Sequence, residues 1–456
     1  MNYLEGQKLV KQKEFGKALN IFLKLLENDK KNNNLYFYLG LIYSELNDFN
    51  KSIFYYDKYL KVEPNSISAL HNLAIIKQSI GELNTAKEIY LRLIKLDKSN
   101  VRAYFGLLIL NINNLTIEHY LQINKIKKSD KISLYEKSLV NFILAKKEKE
   151  NKNYKKEIEF LEEFNLNSFN SNYAYNQSSQ FYYNKIINNF YNKINFIGND
   201  KDQKKTKNFI PIFIIGLPRS GSTLIESILT SSNEKIITCG ESHVINMSVL
   251  EQVGPKIYIE NFDTKKFIFE IDHINFQQSV VKRYSKFHLY KEKDSFSLID
   301  KSLENFFNIE AILKIFPNAK FLHTYRNAID ATISIYQAML SELSWTHKIE
   351  DILNYINNYK EIMKHFHLKY PEKIMDVNLE NFTQESERVA EKIFEFCEFK
   401  WNKKALEFYK RNDLFSKTVS FNQIRKKVLA YNTKKYEPYI HLLQNYKNKY
   451  NWLKIN

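Results

Sequence analysis

Residues 216–223 read Gly-Leu-Pro-Arg-Ser-Gly-Ser-Thr and carry the pattern with the clearest chemical purpose. They follow an apolar run, Ile210 to Ile215, whose length and β-branching suit a buried parallel strand. They lead into Thr223 to Leu229, whose apolar spacing predicts a helix. A strand, a glycine-bearing turn and a helix start form an anion cradle. Backbone N–H groups converge there, and the helix end adds roughly half a positive charge. Gly216 and Gly221 stand at the two glycine positions of a Walker A loop, with Thr223 at its hydroxyl position. Ser222, however, takes the place of the lysine that a nucleotide triphosphatase sets on its β/γ-phosphates. The cation here is Arg219. Without a ligand, the same pattern is a plain strand–helix turn, so the rest of the chain decides.

Six further residues have chemistry to offer. Ile236–Thr238 has the character of a second strand, and Glu241 and His243 follow its carboxyl end, where open sheets bind ligands. A third strand ends in Asp300 and Lys301. A fourth, Lys320–Tyr325, delivers Arg326 to its tip, and the helix predicted from about Ile329 to Leu340 carries Ser334 two turns along. An arginine at a strand tip and a hydroxyl on the next helix can grip one phosphate from two elements. The plain alternative for Arg326 is an ion pair with Asp330.

These strands alternate with amphipathic helices from Asn208 onward, the pattern of an α/β fold with a parallel sheet. Before them the chain is helical with an internal period. Phe15, Ala18 and Phe22 recur as Phe49, Ser52 and Tyr56, and again as Leu83, Ala86 and Tyr90, at intervals of 34. This is tetratricopeptide (TPR) spacing: a small residue where two helices cross, then an aromatic knob one turn later. Leu39-Gly40 and Leu73-Ala74 are in register, with Gly6 a weaker counterpart, and a fourth TPR-like unit is predicted from about Ser138 to Asn170. Such arrays stack into a curved surface whose groove binds a peptide or protein partner, or they serve only to extend a core or to dimerise. Tyr173–Ile194 reads as a bridging helix. The expected organisation is a helical array over 1–195, a charged linker over 196–208 and an α/β domain over 209–456.

Composition narrows the class. At 456 residues two or three domains are expected, and 44% hydrophobic with 15% aromatic content is ample for folded cores. The net charge of +17 comes from scattered lysines with no recognition-helix or RNA-binding pattern. It suits an anionic ligand and points to no nucleic acid. The two cysteines, Cys239 and Cys397, exclude a disulfide framework and a cysteine-based metal site, and fit a reducing compartment. No metal ligand is assigned. The first residues hold no apolar signal segment and no run approaches a membrane span, so a cytoplasmic protein is expected.

The ordered set of 216–223, Cys239-Gly-Glu241, Asp300-Lys301, Phe316-Pro-Asn-Ala-Lys320 and Tyr325-Arg-Asn with Asp330 and Ser334 resembles the bacterial TPR–sulfotransferase family. That family is related to the tyrosylprotein sulfotransferases. The resemblance covers nearly the whole chain. It implies a multidomain protein, an all-α TPR array followed by a P-loop-like α/β domain, that moves a sulfuryl group from 3′-phosphoadenosine-5′-phosphosulfate (PAPS) to an acceptor hydroxyl. It also implies that Pro218, Arg219, Ser220, Gly221, Ser222 and Thr223 hold the 5′-phosphosulfate and that Arg326 and Ser334 read the 3′-phosphate. Thr418–Arg425 resembles the loop closing over that phosphate and brings in Gln423 and Arg425. Lys301 is implied at the bridging oxygen, and Glu241, or else His243, as the base. No metal is required, and the product is 3′,5′-adenosine diphosphate. Residues 374–381 resemble the family's later strand and Tyr-Glu-Asp turn, with Leu379 in place of the aromatic. The family's Ser-x-Gly-Arg-Trp-like segment is missing; Asn432 and either Lys434 or Lys435 are the candidates to replace it. Two other classes stay open at this point: a TPR adaptor with an inactive domain, and a P-loop kinase or NTPase, which Ser222 disfavours.

Overall fold

The computed structural model describes residues 2–197, 209–232, 235–257, 268–285, 296–411 and 425–454. They fall into two compact units, one reaching Asn167 and one comprising Ser168–Arg411 and the residues from Arg425 on.

The first unit is helical throughout. Phe15–Asn28, Phe49–Val62 and Leu83–Leu96 start at the periodic positions, and each packs against the helix before it: Tyr3–Lys11, Asn33–Glu45 and Ile67–Ile80. The period has a packing cause. Ala18, Ser52 and Ala86 are fully buried, and the knobs Phe22, Tyr56 and Tyr90 are at most 2% exposed. A Cβ on Gly6 would meet the Phe22 ring at 2.8 Å and one on Gly40 the Tyr56 ring at 3.0 Å, so each glycine makes room for a knob. Ser52 Oγ donates to the Gly40 carbonyl at 2.6 Å, pinning the crossing. Helices Leu134–Glu150 and Tyr154–Ser171 stand where the fourth unit is expected, with Leu144 and Ala145 buried.

Among the described residues the second unit carries seven strands: β1 (Ile194–Ile197), β2 (Phe209–Gly216), β3 (Ile236–Thr238), β4 (Phe269–Asp272), β5 (Phe296–Asp300), β6 (Lys320–Tyr325) and β7 (Ile374–Asn378). Five form one sheet in the order β3-β5-β2-β6-β7, with every neighbouring pair parallel. β2 is central, and Ile212 to Ile215 are fully buried, as a parallel strand covered on both faces requires. The chain builds the β5 side of β2 first and then crosses to β6. This is a switch point, and the crevice beyond the carboxyl ends of such strands is where open sheets take ligands. Gly216, Lys301, Arg326 and Leu379 lie at or just past the ends of β2, β5, β6 and β7.

The helix after β6 is shorter than the sequence suggests, Ala328–Tyr336, and Asn327 caps it through bonds from Ile329 N and Asp330 N. The boundary between units also differs. Helix Tyr173–Phe181, the π-helical turn Tyr182–Ile186 and helix Ile187–Phe190 belong to the second unit, not to the array. Tyr183 packs edge-on against Trp345 and Tyr355, which stack at 3.7 Å, and Gln180 donates to Asp351 Oδ2 at 3.0 Å. Residues 196 and 197, assigned to a linker from their sequence, complete β1, which pairs with β4. The rest of that segment lies outside the described residues. A fragment starting at Ser168 is therefore expected to fold, whereas one starting at Lys201 lacks β1 and Tyr183 and should be insoluble or melt several degrees lower. Equal solubility and midpoints for the two fragments would show residues 168–197 to be dispensable.

Candidate active site

The cradle owes its shape to two glycines. Gly216 has φ +138°, and a Cβ there would sit 2.1 Å from the Thr324 carbonyl oxygen, so β2 ends flush against β6. Gly221 has φ +89°, and its Cβ would meet Leu379 Cδ1 at 2.7 Å. Arg219 is also left-handed, with φ 66°. Such left-handed reversals just ahead of a helix, here Ser222–Leu229, are the backbone geometry of anion-binding loops. Ser220 and Ser222 are buried, Pro218 and Thr223 half-buried, and the Ser220 hydroxyl has no hydrogen-bond partner among the described residues. Gly216→Ala should cost about 1–3 kcal/mol from backbone strain alone, since the carbonyl it strikes is part of the β6 ladder. Thermal unfolding would register this as a drop of several degrees; an unchanged midpoint would contradict the close approach.

β3 and β5 bring the second group together. Cys239 N donates to the Ile299 carbonyl and Lys301 N to the Gly240 carbonyl, each at 2.8 Å, so the turn after β3 is strapped to the end of β5. The Lys301 side chain is 3% exposed; its Nζ donates to Glu241 Oε1 at 2.8 Å and lies 3.6 Å from Glu226 Oε2. Burial pulls its pKa down, but the two carboxylates outweigh that and leave the ammonium above its ordinary range. Thr238 Oγ1 holds the other Glu226 oxygen. Buried Asp300 accepts from Tyr284 at 2.7 Å, from Ser302 N at 2.8 Å and from the Ser242 hydroxyl, so it anchors the 240–243 turn from below.

His243 sits in the same turn at φ 53°, its N–H bonded to Ser302 Oγ at 2.8 Å. Its Nδ1 is 2.7 Å from Glu304 Oε1, and because a carboxylate only accepts, Nδ1 carries the proton. The Glu304 hydrogen bond, against the effect of burial, raises the imidazole to about 8.

The third group lies past β6. Arg326, 6% exposed, donates through Nη1 to the Arg219 carbonyl at 3.2 Å and through Nη2 to the Tyr431 hydroxyl, with Asp330 Oδ2 at 3.6 Å. The alternative ion pair is thus present, but it is part of a larger arrangement. The Arg326 guanidinium lies 4.9 Å from the centre of the Tyr431 ring and 5.2 Å from that of Tyr436. Tyr431 in turn donates to Asp330, and Lys435, Arg326 and Ser334 lie near enough to the Tyr436 hydroxyl to lower its pKa against the effect of burial. Burial lowers the Arg219 pKa, and Arg326 adds to the effect. Arg326 acts on Arg219, and Lys435 and Arg326 act on Tyr436, so positive potential gathers here and favours an anion. Arg326 Nε has no hydrogen-bond partner among the described residues.

The structure therefore brings Arg219 to Arg326, Glu241 to Lys301, and His243 to the same turn as Glu241. Arg425 is half-buried just before the Tyr431 segment, and Gln423 lies outside the described residues. Glu226, Glu304, Tyr431 and Tyr436 escape the sequence reading. Of these, only the two tyrosines had a signal, since they flank the segment where the expected motif is missing.

Residues 211–403 match the model of the sulfotransferase family, and residues 34–66 and 67–100 match the tetratricopeptide repeat. Residues 211–403 are a sulfotransferase-family domain. An uncharacterized protein of Aquifex aeolicus (strain VF5) is 30% identical over 245 residues, which is 50% of this chain and 30% of that relative's length. The chain thus matches under a third of that relative. The sulfotransferase domain of the Synechococcus PCC 7002 olefin synthase is 16% identical, covers 52% of this chain and 94% of its own, and aligns at a TM-score of 0.31. A sulfotransferase from Alicyclobacillus acidocaldarius is 14% identical over 43% of this chain and 87% of its own, at 0.30. Among the described residues no helix is long and apolar enough to cross a membrane.

Proposed function

We propose that the sulfotransferase-family domain moves a sulfuryl group from PAPS to an acceptor hydroxyl on a peptide, carbohydrate or small molecule. The observation that carries the reading is the meeting of three groups at the carboxyl ends of β2, β5 and β6. These are the glycine-shaped cradle, buried Lys301 bonded to the half-exposed Glu241, and Arg326 with Ser334 and Tyr436. The Ser220 hydroxyl and Arg326 Nε, both without a hydrogen-bond partner among the described residues, fit a ligand with anionic groups at both ends.

When bound, PAPS supplies the activated sulfuryl group. Residues 218–223 hold its 5′-phosphosulfate through backbone N–H groups, the Arg219 guanidinium and the hydroxyls of Ser220, Ser222 and Thr223. Arg326, Ser334 and Tyr436, with Lys435, would face its 3′-phosphate, and the family resemblance adds Arg425 and Gln423 to that set. Lys301 neutralises charge on the bridging oxygen as the bond to sulfur breaks, the task metal ions perform in phosphoryl transfer. Glu241, hydrogen-bonded to that ammonium, takes the acceptor's proton. The array is assigned a peptide or protein partner in its groove, and the protein to the cytoplasm.

Nucleotide selectivity tests the reading. The protein should bind 3′,5′-adenosine diphosphate much more tightly than 5′-AMP. Arg326→Ala should remove most of that preference, because it deletes a charge-assisted contact worth about 1.5–3 kcal/mol. Equal affinities of the unaltered protein for the two nucleotides, measured by calorimetry, would sink the assignment.

A further inference from the structure

A second cluster of ligand-type side chains lies on the β6–β7 edge of the sheet and takes no part in the proposed reaction. His323 on β6 stands directly across from Asp376 on β7, and His367 comes from the last turn of helix Ile349–Lys369. His323 Nδ1 is 2.6 Å and His367 Nε2 2.8 Å from the same oxygen, Asp376 Oδ1, and one ligand atom from each residue lies within 4.8 Å of the others.

The outer nitrogens settle what the inner ones can do. His367 Nδ1 is 2.7 Å from the Met363 carbonyl oxygen, which can only accept, so that nitrogen carries a proton. His367 Nε2 then faces a carboxylate oxygen. If the ring is neutral, two lone pairs oppose each other at 2.8 Å, so a positive centre must sit between them, either a second proton or a metal ion. The other His323 nitrogen, Nε2, is engaged by the Tyr359 hydroxyl, which again leaves the inner nitrogen to the shared oxygen. Histidines whose outer nitrogen is fixed by a carbonyl or hydroxyl while the inner ones converge are the arrangement that orients metal-bound imidazoles. Exposure is graded to match. His323 is 7% exposed and anchors the cluster inside, while His367 at 32% and Asp376 at 49% open it to solvent on one side.

The geometry points to a binding site for one divalent transition-metal ion of the zinc class, held by His323 Nδ1, His367 Nε2 and Asp376 Oδ1. Two imidazoles and one carboxylate suit zinc or cobalt, whereas calcium and magnesium prefer all-oxygen shells. Three protein ligands leave one position for water. A tetrahedral shell at metal–ligand distances of about 2.0–2.2 Å sets its ligand atoms roughly 3.3–3.6 Å apart, so the nitrogens, now 2.6 and 2.8 Å from Asp376 Oδ1, must draw back from it by ~0.5–1 Å. The half-exposed Asp376 side chain can accommodate this by rotation. The bound ion would tie β6, β7 and the helix end together, just before Arg326 and Leu379 leave their strands. It does not depend on the sulfuryl-transfer reading.

The full chain, stripped with a chelator and dialysed, would be titrated with Zn²⁺ and with Co²⁺ by calorimetry and visible absorption, with thermal unfolding recorded in parallel. The expected result is one ion per chain, a tetrahedral-type Co²⁺ spectrum and a raised unfolding midpoint. Asp376→Asn and His367→Gln alter exposed positions that should not compromise folding. Each should weaken binding at least about tenfold and abolish the rise in midpoint. No stoichiometric binding would mean that a proton holds His367 to Asp376, and undiminished binding in both variants would place the ion on other histidines. Either outcome overturns the site.

Discussion

Lys301→Met is expected to lower sulfuryl-transfer turnover by about 10²–10³-fold, the usual cost of losing one preorganised donor to a developing anion. Affinity for 3′,5′-adenosine diphosphate should stay nearly unchanged, because the cradle and the Arg326 group supply the contacts to its phosphates. The readout is release of 3′,5′-adenosine diphosphate from PAPS with phenolic and alcoholic test acceptors. The substitution has a structural side effect that must be separated from the chemistry. Lys301 neutralises Glu226, whose side chain is only 14% exposed, and a buried carboxylate deprived of its partner costs up to about 3–5 kcal/mol. The double variant Lys301→Met with Glu226→Gln removes that strandedness. If Lys301 acts on the bridging oxygen, the double variant recovers stability but not turnover. Recovery of both would reduce Lys301 to a structural cation. A single variant that kept a tenth of the activity while binding nucleotide would do the same.

The cradle was legible in the sequence because its backbone leaves marks there. Only glycine tolerates φ +138° against the Thr324 carbonyl, or φ +89° against Leu379, and the all-apolar run before it is what a doubly covered strand demands. The repeats were legible for a similar reason, since each knob needs a small residue facing it. What stayed hidden is held by partners far along the chain. Glu304 reaches His243 across 61 residues, and Tyr431 reaches Arg326 across 105. No periodicity encodes such a pairing. The same holds for the bridging segment Tyr173–Ile194, which its sequence groups with the array: Tyr183 and Gln180 find their partners among Trp345, Asp351 and Tyr355.

The missing Ser-x-Gly-Arg-Trp-like segment has a physical counterpart in the two tyrosines. Neither Asn432 nor Lys434 bonds to Arg326; Tyr431 and Tyr436 flank the guanidinium, and Lys435 lies 5.2 Å from the centre of the Tyr436 ring. Lys435 and Arg326 lower the Tyr436 pKa against the upward pull of burial, which marks strong positive potential at that hydroxyl. A phosphate beside it would draw on the same potential. Of the candidates for the segment, Lys435 is the one whose charge acts on the Tyr436 hydroxyl.

Glu241→Gln should reduce turnover by roughly 10²–10⁴-fold, the usual contribution of a general base, while keeping shape and nucleotide affinity. His243→Asn should cost far less. The two side chains leave one turn but face different partners, Lys301 for Glu241 and Glu304 for His243. Only Glu241 touches the ammonium assigned to the reacting centre, so proton removal and leaving-group stabilisation would occur at adjacent atoms. His243 has a rival claim, because Glu304 fixes its proton on Nδ1 and leaves Nε2 as a free base, the logic of a catalytic dyad. The pH profile separates the two. Since the His243 pKa is raised from 6.5 to about 8, that imidazole is protonated and useless as a base below this value. Were it the base, turnover would climb as pH rises through about 8. With Glu241 as the base, no such limb tied to His243 exists, and His243→Asn leaves the profile in place. The stability effect has the opposite sign. A raised folded pKa means that the His243–Glu304 pair stabilises the fold fully below pH 6.5 and ceases to do so as pH passes about 8, and His243→Asn should flatten that decline. An ascending limb near pH 8 that disappears in His243→Asn, with Glu241→Gln still active, would transfer the role to His243.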